Sequence, residues 1–201
     1  MQPMDDKPFS QACANNQQPI LDAIKPWFAE VDEVLEIGSG TGQHAVYFGK
    51  SMPHLRWQCS DRVENHAGIN AWRESAGLSN VLAPLALDVN ASWPIDTTPA
   101  IFSANVIHIV SWPEVERLFD GIARHLRAPG IVCFYGPYNY GGRFTSDSNA
   151  RFDEWLKSRD PRSGIRDFEQ VDALAQDTGL ALQVDQAMPA NNRCLVWRLL
   201  P

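Results

Sequence analysis

The sequence predicts an α/β domain built on a mostly parallel sheet, and three observations carry that prediction. A short apolar strand runs into a glycine-rich turn and then a helix over Val34 to Gly49, VLEIGSGTGQHAVYFG. Downstream, apolar runs of strand length alternate with segments of helical period, the pattern of βαβ units that place helices on both faces of a parallel sheet. The chain closes with two strand-like runs joined by a polar connection, which predicts an antiparallel hairpin at one sheet edge. Five strands before that pair make a sheet of seven. With 201 residues and 44% hydrophobic content, one domain over 1–201 has ample core.

The elements follow in order. Residues 1 to 9 are polar, contain two prolines and predict a loose start. A helical cap follows over about 10–30, because Ile20, Leu21, Ile24, Trp27 and Phe28 recur at helical spacing from Gln17 to Phe28. The adjacent amides Asn15 and Asn16 precede that stripe and suit either a ligand contact or a capped, solvated helix end. Val34, Leu35 and Ile37 form the first strand; Gly38, Gly40 and Gly42 interrupt it before Ala45, Val46 and Phe48 resume on a helical period. Leu55 to Ser60 alternates as a second strand ending at Asp61, and His66 to Gly77 reads as a helix with Ile69 and Trp72 turned inward. Val81 to Leu87 is the third strand, followed by Asp88-Val89.

Pro99 to Val110 is the fourth strand with its exit loop, in which Asn105 and His108 are the polar residues of an apolar run. Ser111-Trp112-Pro113-Glu114 is a capping-box start, and Val115, Leu118, Phe119, Ile122 and Leu126 form the buried stripe behind it. Pro129-Gly130 turns into the fifth strand, Ile131 to Tyr135, which empties into a turn-rich loop carrying Tyr138, Asn139 and Tyr140. Ligands of open α/β sheets lie outside the strands' carboxyl ends, so that loop is expected to frame a substrate. Two helices, Phe144 to Lys157 and Asp167 to Thr178, flank a polar turn, and the stretch over about 142–166 has the place of a lid-like helical insertion. Leu180 to Val184 and Cys194 to Leu199 are the last two strands, joined through Asn191-Asn192.

A net charge of −7 argues against a broad grip on nucleic acid or on an anionic membrane, since both need clustered positive charge. The basic residues from Arg143 to Arg166 interleave with Asp147, Asp153, Glu154 and Asp160, which predicts a solvated mixed-charge surface. Cys13, Cys59, Cys133 and Cys194 lack paired spacing, and no cluster suggests a metal site. With no signal peptide and no long apolar run, a cytoplasmic protein is expected.

The chemistry centres on the glycine turn. Glycines at alternate positions allow positive φ angles and remove the Cβ atoms that keep a ligand from the main chain. A dinucleotide fingerprint places its third glycine one residue later, where this chain has Gln43. Glu36 before the turn would repel a pyrophosphate and attract a cation. Asp61 follows about 20 residues on, the separation at which an acidic side chain meets a ribose in nucleotide-binding βαβ units.

Glu36, Gly38, Gly40 and Gly42 match the E-x-G-x-G-x-G motif, and here the sequence resembles the class I S-adenosylmethionine-dependent methyltransferases. The resemblance implies their Rossmann-like fold, S-adenosylmethionine as cofactor and S-adenosylhomocysteine as product. It also implies that Glu36 lies near the ligand's amino group, and that Gly38, Ser39, Gly40, Thr41 and Gly42, with His44, underlie its sugar and methionine part. Asp88 and Val89 would meet the adenine, and Asn105 joins the same set. Across nearly its whole length the chain is similar to the DUF938 group, related to methyltransferase-like protein 26. The segments that carry this are Ser10 to Leu21, Glu36 to His44, Asn105 to Ile109, Tyr135 to Tyr138, Phe152 to Leu156 and Met188 to Asn192.

An activated methyl donor needs an acceptor atom held in line in a dry pocket, with a base only where the acceptor must lose a proton. His108, Tyr138 and Tyr140 are the candidate catalytic groups, and Asn15, Asn16, Tyr138, Asn139, Asn191 and Asn192 the candidate substrate contacts. The D/N-P-P-Y/F tetrapeptide of many amino-methyltransferases is absent, since Val106 and Ile107 follow Asn105. With the acidic charge, this favours a small-molecule acceptor and leaves the oligomeric state open. A non-catalytic S-adenosylmethionine-binding module would keep the same glycines and acids; a nicotinamide oxidoreductase is disfavoured by the glycine spacing and Glu36.

Overall fold

Side chains alternate across a strand, so a sheet covered on both faces needs two apolar sets. The computed structural model has both, and it describes residues 7–201. The first six residues of the expected loose start lie outside that range. Helix α1 (Gln11–Ile24) leads to strand β1 (Glu33–Ile37), helix α2 (Gln43–Ser51), strand β2 (Arg56–Asp61), helix α3 (His66–Ala76) and strand β3 (Val81–Ala86). The chain then crosses to the other side of β1 as β4 (Thr98–Ala104), a one-turn helix α4 (Val106–Ile109), helix α5 (Trp112–His125) and β5 (Leu126–Gly136). A short strand β6 (Tyr138–Asn139), helix α6 (Asp147–Arg159), a short strand β7 (Arg166–Asp167), helix α7 (Phe168–Asp177) and the pair β8 (Leu180–Met188) and β9 (Asn192–Leu199) complete it.

The main sheet has seven strands in the order β3-β2-β1-β4-β5-β9-β8. All pairs are parallel except those made by β9, which runs antiparallel to both neighbours, as the predicted hairpin requires. On β1, Val34 packs with Trp57, Cys59 and Phe102 under α1, α2 and α3, while Leu35 and Ile37 pack with Ile101, Val132 and Trp197 under α5 and α7. Glu36 follows Val34 by two residues and therefore enters the first of these layers. After β3 the chain restarts beside β1, so the order reverses between β1 and β4, where open α/β sheets leave a crevice.

Helix α1 starts at Gln11, inside the expected cap, with the Ser10 hydroxyl accepting from the Cys13 amide at 3.3 Å, so Asn15 and Asn16 belong to its first turns. Three segments differ from the sequence reading. Strand β5 begins at Leu126, because pairing with β4 starts at Thr98 and continues past a register shift. Helix α6 begins at Asp147, where Ser146 accepts from the Asn149 amide at 3.1 Å. The loop after β5 is not open: Tyr138 and Asn139 pair with Arg166 and Asp167 in a small parallel sheet. No described helix is long and apolar enough to cross a membrane.

Candidate functional site

The turn after β1 is shaped by backbone that only glycine adopts freely. Gly38 has φ +75°, and a Cβ there would lie 2.3 Å from Val106 Cγ2 on α4. Gly40 has φ +56°, and its missing Cβ would project into open space at the turn's tip. The turn is held from below and behind. Ser60 C=O accepts from the amides of Gly38 and Ser39, each at 3.0 Å. Asp61 Oδ2 accepts from the Gly40 amide at 2.8 Å, and Oδ1 from Arg62 N at 2.7 Å and Asn65 Nδ2 at 2.8 Å. The acid twenty-one residues downstream is thus fastened to the middle of the turn.

Glu36 braces the turn from the core side. Its Oε2 accepts from the Ser39 hydroxyl at 2.8 Å and from the Trp57 indole at 3.0 Å. At 2% exposure it has lost its hydration, and burial raises its pKa to about 7 against the pull of those two donors.

A cleft of about 820 Å³ opens where the strand order reverses, within the size range of small-molecule sites. Its inner part is lined by the turn from Gly38 to Thr41, His44, Asp61 at the end of β2, and Asp88 and Val89 beyond β3. Asn105 and His108 border it from α4, and Ile109 with Phe152, Trp155, Arg159 and Arg162 form the outer part. Asp88 is fixed by Asn90, whose backbone and side-chain nitrogens donate to Oδ1 at 2.8 and 2.9 Å.

Two buried histidines flank the cleft. His44 Nε2 lies 2.7 Å from Asn16 Oδ1, its ring stacks on Phe48, and burial lowers its pKa to about 4. His108 is 1% exposed, and its two ring nitrogens have no hydrogen-bond partner. Burial first, and then the charge of Arg166, lower its pKa to about 3. Its ring meets Tyr138 edge to face at 5.6 Å and occupies space left by Gly136, where a Cβ would fall 2.1 Å from Nε2. Helix α4, which carries it, is clamped through its carbonyls. Gly164 N donates to His108 C=O at 2.9 Å, Ser163 Oγ to Ile109 C=O at 2.5 Å, and Arg166 Nε to Ile107 C=O at 2.9 Å, with the same guanidinium reaching Val110 C=O.

Replacing Arg166 by Gln is therefore expected to cost about 3 kcal/mol, since charged hydrogen bonds to buried carbonyls are lost. It should also raise the His108 pKa by removing a cation that opposes ring protonation. Thermal unfolding and NMR titration of the His108 ring measure the two effects.

The cleft gathers Gly38, Ser39, Gly40, Thr41, His44, Asp61, Asp88, Val89, Asn105 and His108 from the predicted set. Glu36 and Gly42 stand behind the turn; a Cβ at Gly42 would meet the backbone of Ile69 at 2.9 Å. Asn16 reaches the site through His44, whereas Asn15, one residue away on a helix, is exposed and accepts from Gln11 at 2.9 Å. The expectation that the tyrosine loop frames the substrate is corrected. Tyr138 is fully buried with its hydroxyl unpartnered, and Asn139 is 8% exposed, because both are sealed into the β6-β7 pair. Tyr140 donates to Asp185 Oδ2 at 2.8 Å and stacks on Phe168, outside the cleft lining. Asn191 and Asn192 serve the β8-β9 turn, where Asn191 has φ +57° and Asn192 donates to Pro189 C=O at 3.1 Å. The expected solvated charge surface also holds a buried member: Asp153 accepts from Ile165 N at 2.8 Å and pairs with Lys157 at 2.6 Å. The sequence marked Phe152 to Leu156 only as a family segment and gave Phe152 and Trp155 no site role, although their three-residue spacing on a predicted helix was the available signal.

The family model described as "Protein of unknown function (DUF938)" matches residues 7–199. Among solved structures, the chain is similar to an O-methyltransferase family protein from Burkholderia thailandensis, with a TM-score of 0.83 and 14% identity over 94% of this chain and 57% of that one. It is similar to the mitomycin 7-O-methyltransferase MmcR with a TM-score of 0.83 and 17% identity, covering 94% and 54%. Human N-acetylserotonin methyltransferase, solved in complex with SAM, gives 0.78 and 14%, covering 95% and 53%. The chain spans little more than half the length of these structures, and the likeness is one of fold.

Proposed function

The chain belongs to the DUF938 family, and from that membership and its fold we propose that it is an S-adenosylmethionine-dependent methyltransferase acting on a small-molecule acceptor. The observation that carries the reading is the fastening of Asp61 to Gly40 in the lining of a cleft that lies at the strand-order reversal.

The residues present suit that cofactor. The open space over Gly40 admits a ligand against the main chain, Asp61 and Asn65 offer acceptor and donor atoms to ribose hydroxyls, and Asp88 and Val89 offer a carboxylate and an apolar surface to an adenine. Acids on this side of the cleft also favour a cation over a phosphate. When bound, S-adenosylmethionine supplies a methyl group whose carbon–sulfur bond breaks, leaving the electron pair on sulfur and joining the carbon to the acceptor atom. His108 is uncharged through the neutral range, and its enclosed nitrogens and low pKa make it a weak base, so the reading asks no proton removal of it. Phe152 and Trp155 give the acceptor side an aromatic wall.

Calorimetric titration with S-adenosylmethionine, S-adenosylhomocysteine and NAD tests this. Micromolar binding of the two sulfur ligands and none of NAD is expected. Asp61→Ala should weaken binding by roughly tenfold to a hundredfold, the worth of a hydrogen bond to a charged group. Absence of binding by both sulfur ligands overturns the reading. The enclosure of both His108 nitrogens favours one second reading, a non-catalytic binding module, which would bind the sulfur ligands yet transfer no methyl group to any cell extract.

A further inference from the structure

The outer half of the cleft has a chemistry unlike the inner half. Phe152, Trp155 and Arg159 recur at three and four residues along α6 and so share one helical face, with Leu156 beside it in the cleft lining, while Asn149 and Asp153 are buried. The rings of Phe152 and Trp155 stack at 5.7 Å and 15°, and the Arg159 guanidinium lies 4.9 Å over the Trp155 ring. Trp155 is 50% exposed and Ile109, facing the same mouth, 59%. Exposed apolar patches mark contact surfaces, ligand grooves among them, and a paired set of parallel rings in a cleft wall offers a flat face to stack on.

The charges are uneven in the same direction. Arg162 is neutralised by Asp160 at 2.8 Å, and Lys157 by Asp153 at 2.6 Å. The carboxylate of Glu114 keeps its charge, with Ser111 and Asn90 donating to it and Arg162 as the cation that faces it. Among the described residues, Arg159 has no carboxylate in ion-pair contact, and its indole contact holds it at the cleft wall. Asp61 and Asp88 make the inner half acidic, since Arg62 beside them is paired with Glu64 at 3.2 Å. An anion entering this cleft is repelled from the inner end and attracted to the outer one.

We propose that the acceptor is a planar aromatic molecule bearing a carboxylate, stacked against Trp155 and Phe152 with its carboxylate on Arg159 and its opposite edge turned inward. This selectivity rests on the methyltransferase reading. It assigns Trp155 and Arg159 as specificity-determining residues on a helix that the cofactor side does not use.

The test measures binding in the presence of S-adenosylhomocysteine by tryptophan fluorescence and calorimetry. The probes are salicylate, 4-hydroxybenzoate and indole-3-acetate, each beside its uncharged amide. The carboxylates are expected to bind more tightly than their amides. Arg159→Gln should weaken the carboxylates by about tenfold, the worth of one charge-assisted pair, and leave the amides unchanged. Trp155→Ala should weaken both sets by a similar factor, since it removes the stacking surface. Both side chains are exposed, and S-adenosylhomocysteine affinity, unchanged in both variants, reports that the fold and cofactor side are intact. Failure of S-adenosylhomocysteine to bind would instead strike the methyltransferase reading.

With that affinity intact, three results overturn the proposal: no binding by any probe, equal binding of carboxylates and amides, or indifference to both substitutions. Dimerisation in sedimentation that Trp155→Ala abolishes also overturns it, by assigning the aromatic face to a second copy of the chain.

Discussion

Gly38→Ala is expected to abolish cofactor binding in calorimetry and to lower the thermal midpoint by roughly 10 °C. Two costs combine. A residue with a Cβ at φ +75° takes on the strain of the left-handed region, about 1–2 kcal/mol. The new methyl group also falls 2.3 Å from Val106 Cγ2, so either the turn lifts into the cleft or α4 retreats. Lifting the turn pulls Gly40 from Asp61, and shifting α4 moves the segment that carries His108. Overpacking of this kind costs about 1–3 kcal/mol. Gly40→Ala separates strain from collision, because a Cβ there meets nothing within 4 Å. It should leave the midpoint within a few degrees of the parent and weaken binding by obstructing the ligand face. Normal binding by Gly38→Ala would mean that the turn does not form the cofactor surface.

Trp57→Phe is expected to destabilise the protein by about 3–5 kcal/mol at pH 8 and by less at pH 5. The indole N–H of this fully buried side chain donates to Glu36, so its loss leaves a buried carboxylate short of a donor as well as a gap in the core. The pH dependence has a definite sign. Burial raises the Glu36 pKa from 4.5 in the unfolded chain to about 7, so the native state holds a proton that the unfolded chain has released. Stability linked to Glu36 is full below pH 4.5 and declines as pH rises to about 7, by on the order of 3 kcal/mol. Removing the Trp57 donor pushes that pKa higher and extends the decline past neutrality. Glu36→Gln should remove this part of the pH dependence, and in that background Trp57→Phe should cost nearly the same at both pH values. Denaturant unfolding of the four proteins at pH 5 and pH 8 decides it; a Trp57→Phe penalty independent of pH in the parent background would contradict the account.

Alternation and period made most of the sheet legible. Val34 to Ile37, Leu55 to Ser60 and Ile131 to Tyr135 are apolar enough that no other placement buries them, and each is a strand of the main sheet. The glycine turn was legible because it depends on local backbone: alternate glycines fix it, and Asp61 follows where a parallel neighbour ends. The surroundings of the tyrosines and asparagines were not, because they depend on which distant segments dock. Tyr138 and Tyr140 have the composition of a ligand loop, but a two-residue pairing with Arg166 and Asp167 turns the first inward, and Asp185 draws the second away. Asn15 and Asn16 carry the same side chain, and the rotation of one helical step sends them to opposite environments.

The bond between Asp61 and Gly40 fastens the turn to the end of β2 as part of the fold itself. Conformational entropy that a loose loop would lose on meeting its ligand has therefore already been lost in folding, which leaves more of the contact energy to appear as affinity. Capture on this side of the cleft should then be governed by diffusion and orientation, with no slow ordering step before the complex forms.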